Sequence, residues 1–107
     1  MIGGGIEAIL QQKTGFTFNA IGERVPEWTD VQTLRGWLDL SSGDSKYTHD
    51  AKLQESTHIF LCDHVDIERF ADDKRLMING LKYDVLLIDD PMEIHQQLEI
   101  YLKYVGR

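Results

Sequence analysis

Cysteine is nearly missing from this chain: Cys62 is the only one. A single thiol cannot close an internal disulfide, which excludes a secreted, disulfide-stapled scaffold. Long apolar runs are missing too. Val85-Leu86-Leu87-Ile88 is the longest near the end of the chain, far below the ~20 residues a membrane helix needs. Bases are in deficit, with eleven Lys and Arg against eighteen Asp and Glu, a net charge of −7. That balance argues against a protein whose main work is gripping nucleic acid phosphates, and an anionic membrane surface would repel it. No basic residue precedes the apolar residues of Met1 to Ile9, and no small-residue cleavage pattern follows. The start therefore does not read as a signal peptide, and we expect a chain that stays, or is assembled, inside a cell. Gly3-Gly4-Gly5 lacks the Lys-Ser or Lys-Thr and the strand-loop-helix setting of a phosphate loop.

What is present reads as one globular unit. The 107 residues are 42% apolar and 27% charged. A chain of this size buries roughly two thirds of its unfolded surface, enough for one core. We expect a single domain over 1–107, with 1–5 flexible around its glycines. The acids are unevenly placed: residues 63–93 hold nine acids against four bases, a net of −5. That stretch implies a local acidic face or set of loops.

The patterning is that of short strands. Ile6 to Lys13 and Phe16-Thr17-Phe18 read as extended, and Asn19 to Trp28, with Gly22 and Val25-Pro26, reads as a loop. From Val31 the period is two, with Leu34, Gly36, Leu38 and Leu40 on one face and Arg35, Trp37 and Asp39 on the other. Gln54 to Cys62 alternates again: Thr57, Ile59 and Leu61 oppose His58, Phe60 and Cys62. Asn79-Gly80 lies between two extended runs and supplies the two positive φ angles of a type I′ hairpin. Asp89-Asp90-Pro91 ends the second of these strands. Beyond it, Ile94, Leu98, Tyr101, Leu102 and Val105 fit a helix, while Leu98, Ile100, Leu102 and Tyr104 fit a strand. Nothing local decides between them; the β-rich surroundings and aromatic content favour the strand. Six or seven short strands with turns between them make an all-β antiparallel barrel or sandwich.

The residues that could carry chemistry are sparse. Cys62 and His64 share a face at a strand end, but a closed metal site needs about four ligands, and His49, His58 and His95 are isolated in sequence. As a nucleophile Cys62 would need a base and an electropositive setting, and its neighbours are acidic. The pairs Asp72-Asp73 and Asp89-Asp90 fit solvated turns better than catalytic dyads. We expect no catalysis, no metal and no cofactor. Trp28 and Trp37 read first as packing residues; an exposed Trp37 would mark a protein interface. The one long polar segment is Ser41-Ser42-Gly43-Asp44-Ser45-Lys46-Tyr47-Thr48-His49-Asp50-Ala51-Lys52-Leu53. Its charges cancel, and loops of this length inside small domains are often functional. It suits a gate better than an active site.

The order of these signals is familiar. Val25-Pro26-Glu27-Trp28-Thr29-Asp30-Val31 leads into an alternating strand that ends at Leu40-Ser41-Ser42-Gly43. A polar loop, Thr57-His58-Ile59, the Asn-Gly hairpin with Tyr83-Asp84-Val85, Asp89-Asp90-Pro91 and Leu98-Glu99-Ile100 follow. Over roughly residues 6–105 this resembles the head-tail joining (head closure, or stopper) proteins of tailed phages, of the kind found in siphophages of Gram-positive hosts and their prophages. The 62–73 stretch matches that pattern loosely. The resemblance implies a small β-barrel with one long inserted loop and no enzymatic role. It implies a ring of copies beneath the portal and its adaptor, closing the channel once the head holds DNA and offering a docking surface to the tail. It also implies that residues 41–53 close the channel, and it leaves Trp37, Asp72, Asp73, Asp89 and Asp90 as candidate interface positions. Its partners would be the adaptor, a tail completion or terminator protein, further copies of the chain, and DNA held without sequence readout. The location would be the virion. A second reading of the same resemblance is a tail-completion or adaptor module of the particle.

Overall fold

The computed structural model describes residues 5–40, 56–68, 71–91 and 94–107. Six strands account for most of them: β1 (Ile6–Phe18), β2 (Arg24–Leu40), β3 (His58–Asp63), β4 (Lys74–Ile78), β5 (Leu81–Asp89) and β6 (Gln97–Gly106). The order around the sheet is β1-β2-β3-β6-β5-β4, and β4 pairs back onto β1, so the antiparallel sheet closes on itself. No helix long and apolar enough to cross a membrane occurs among the described residues.

Alternation fills the interior. Ala8 and Leu10 of β1, Leu34 of β2, Phe60 and Cys62 of β3, Leu76 and Ile78 of β4, and Leu98, Ile100 and Leu102 of β6 are all at most 2% exposed. Strand β6 is thereby settled: its buried residues recur every second position, the period of a pleat. Strand β5 breaks the rule. It buries Tyr83, Val85 and then Ile88, because a register shift between Val85 and Leu87 inserts one residue and swaps faces.

The Asn79-Gly80 hairpin forms as its turn chemistry predicts, with φ of 52° and 78°. The segment read as a loop from Asn19 to Trp28 is a different matter. Only residues 19–23 turn, and β2 already runs from Arg24. Phe16 pairs with Pro26, Thr17 with Val25 and Phe18 with Arg24, so the hairpin continues well past the closed part of the sheet. Proline is tolerated there because β3 joins β2 only from Gly36 onward. Among the described residues, one side of Pro26 has no strand neighbour, and there a missing N–H costs nothing. The turn is built by Asn19, whose side-chain oxygen accepts from the backbone N–H of Ile21 (3.1 Å) and Glu23 (2.9 Å). Gly22 takes the left-handed φ of 84°. The result is an elongated molecule of 46 × 27 × 23 Å: a closed sheet with a two-stranded arm.

Strands β2 and β3 approach each other more closely at Gly36 than a side chain allows. A Cβ there would sit 1.9 Å from the carbonyl oxygen of Leu61. Glycine at this position is a requirement of space.

Candidate functional site

Segment 41–53 lies outside the described residues, but its flanking positions are fixed. Strand β2 ends at Leu40 and β3 begins at His58, and these two residues are partners in the β2–β3 ladder. Leu40 and His58 thus lie together at one rim of the sheet. That rim is aromatic. The His58 ring packs edge-on to Tyr83 at 5.2 Å, and Tyr83 packs against Tyr104 at 5.3 Å. Thr57 knits the rim: its hydroxyl accepts from the backbone N–H of Tyr104 at 2.8 Å. Burial pushes the Tyr83 phenol above its ordinary range, with the neighbouring Tyr104 adding to the shift.

Trp37 is 53% exposed on β2, a large apolar surface of the kind that marks contact with another protein. The arm carries more. Phe16, Phe18, Ile21 and Val25 are all exposed there. The two phenyl rings meet edge-on at 5.5 Å, and the Arg24 guanidinium lies 4.4 Å above the Phe16 ring. At the arm's root the Arg75 guanidinium stacks 4.1 Å from the Trp28 ring, and its Nε–H donates to Gln11 Oε1 at 2.7 Å. Trp28 is therefore a packing residue. The sequence signal for the arm was available as four large apolar residues around a turn, with no partner face in the local pattern to bury them.

The acidic pairs separate. Asp72 and Asp73 are exposed in the turn before β4, and Asp73 adopts a left-handed φ of 58°, which aspartate tolerates. Asp73 also faces Lys13 at 3.8 Å, an exposed ion pair of small energetic weight. Asp89 is half-buried at the end of β5, and Asp90 is enclosed, its carboxylate wholly shielded from solvent. Oδ1 of Asp90 accepts from the backbone N–H of His95 at 3.1 Å, and Oδ2 accepts from His95 Nδ1–H at 2.5 Å. His64 Nε2 stands 3.8 Å from the same Oδ2. Burial alone would raise the Asp90 pKa. The hydrogen bonds from His95 and the two imidazoles outweigh it and hold the carboxyl below its usual range.

Cys62 and His64 do not form a couple. Cys62 points into the core, while His64 lies beyond the end of β3 and turns to Asp90. Burial pushes the Cys62 thiol up to about 11, with the charge of Asp63 adding to the effect. A neutral, enclosed thiol predicts slow chemistry. We expect native protein at pH 8 to resist iodoacetamide and to label fully once unfolded in denaturant; rapid native labelling would show an open core. Because the folded pKa is raised, the stability tied to this thiol is complete below the ordinary thiol range and is lost as pH rises through about 11.

The described residues thus form a small closed sheet that exposes aromatic and aliphatic side chains on an arm and on a strand face. The chain belongs to the phage head completion protein family, whose model matches residues 7–103. It is thus a structural protein of the phage head. No curated protein matches it.

Proposed function

We propose that this chain is the stopper of the head-tail connector. In this reading, copies form a ring beneath the portal and adaptor after packaging. They close the DNA channel with segment 41–53 and present the surface on which the tail docks. The observation that supports the reading is the family match over 7–103, joined to the pairing of Leu40 with His58, the strand ends on either side of that segment in the sequence. A segment rooted at a single rim can swing or pair with its copies while the closed sheet stays intact. Each subunit would contribute weak contacts, and the ring would multiply them.

Trp37, the arm, and the exposed acids Asp72 and Asp73 are the surfaces offered to neighbours. Adaptor, tail completion or terminator protein, and adjacent copies are the partners, assembled in the host cytoplasm into the virion. Asp89 belongs to the same acidic stretch. The −5 of residues 63–93 suits either a channel wall that repels phosphate, so that DNA slides, or a docking face for a basic patch.

Deletion of 42–52 tests the assignment. Particles carrying the deletion are expected to package DNA and then lose it. Heads that keep their DNA and complete assembly would overturn the gating role. Capture of the chain by tail tubes but not by portal-adaptor complexes would assign it to tail completion instead.

A further inference from the structure

At the rim opposite Leu40 and His58, three donor groups that are far apart in sequence converge. His64 follows β3, Asp90 follows β5 and His95 precedes β6. They meet because β6 lies between β3 and β5 in the closed sheet, which brings both connections to one end. We propose that His64 Nε2, His95 Nδ1 and Asp90 Oδ2 form a binding site for one divalent transition-metal ion of the zinc type.

The donor chemistry selects the ion. Two imidazoles and one carboxylate suit zinc and its first-row neighbours, whereas calcium and magnesium take sites built of oxygen. The three donor atoms lie within 4.8 Å of one another. An ion bonded at about 2.0–2.2 Å holds its tetrahedral donors about 3.4 Å apart. The His64–Asp90 separation of 3.8 Å is already close to that value. The His95–Asp90 pair, at 2.5 Å, holds a proton where the ion would sit. Binding displaces that Nδ1 proton to solvent as the ion enters, and it requires the His95 ring to draw back from Asp90 and swing toward His64, closing the widest donor separation of 4.8 Å. The ring is free to do so, being 59% exposed, while His64 is 27% exposed and Asp90 wholly enclosed. The site is therefore anchored on its acidic side and open on its imidazole side.

Two further features hold the donors ready. The backbone N–H of His95 fixes the second oxygen of Asp90, the kind of supporting bond that orients a ligating carboxylate. His95 itself takes a left-handed φ of 56°, an uncommon conformation that aims its ring at Asp90. With three protein ligands, water completes the coordination, and the ion would tie the ends of β3 and β5 to the start of β6.

The test uses tag-free protein stripped with a chelator. Titration with Zn2+ against a chromophoric competitor should show one ion per chain. Co2+ in its place should give a visible ligand-field band. The His95→Ala and His64→Ala variants should each weaken Zn2+ binding by at least about tenfold, while His49→Ala and His58→Ala leave it unchanged. Zn2+ should raise the melting temperature of the natural protein and not that of His95→Ala. In His95→Ala the backbone N–H bond to Asp90 remains, and the wild-type stoichiometry stands without any variant. Absence of saturable Zn2+ binding by the wild-type chain, or undiminished affinity in either ligand variant, would overturn the proposal.

Discussion

Gly36→Ala is expected to cost about 3 kcal/mol or more, or to prevent folding outright. The added Cβ would lie 1.9 Å from the Leu61 carbonyl oxygen, 2.9 Å from its carbonyl carbon and 3.0 Å from the Cys62 Cβ. Two of these three atoms are backbone, so no rotamer change relieves the overlap. Strands β2 and β3 must part, and Gly36 and Cys62 are partners in the ladder that would open. Gly15→Ala is the matched control. Its Cβ meets nothing within 4 Å and its φ is not left-handed, so a change within about 0.5 kcal/mol is expected. Urea unfolding of both variants checks the pair. Equal stabilities would mean that β2 and β3 are not packed this closely.

Phe60→Ala should lose about 3–5 kcal/mol. Phe60 is 0% exposed and among the largest fully buried side chains. It lies on the short strand β3, between Leu38 of β2 and Ile100 of β6 in the two ladders. A strand tied on both sides cannot slide inward to fill the void, which places the cost toward the upper end of the range. For a domain of this size each kcal/mol lowers the melting temperature by roughly 4–8 °C. A thermal scan that shifts by only a few degrees would show that the interior repacks freely.

Legibility from sequence followed the range of the forces involved. The Asn79-Gly80 hairpin was readable because two adjacent residues determine it. The alternation of β3 was readable from its period of two, though not which face is interior; Phe60 and Cys62 turn out to be buried. For β6, Leu98, Ile100 and Leu102 fit a strand, but helical spacing fitted as well, and the β-rich surroundings decided it. The arm was misread for a physical reason. Gly22 and Pro26 are local signals of irregular chain, while the strand that contains Pro26 is held by pairing with β1, which no local pattern reports. The bulge in β5 hid the inward turn of Ile88 behind Val85 in the same way. Exposure of Trp37 was an open alternative that burial resolves. The meeting of His64, Asp90 and His95 was not readable at all, since it depends on β6 being inserted between two strands that precede it.

That insertion also governs when the molecule can exist. Ring closure requires β1 to find β4 and β3 to find β6, pairings between distant parts of the chain that fold slowly. While β6 is still within the ribosome, β3 and β5 have a shared gap and two unpaired edges. The sheet cannot close until β6 has emerged and paired with both β3 and β5. Until then those open edges are its greatest exposure to mispairing.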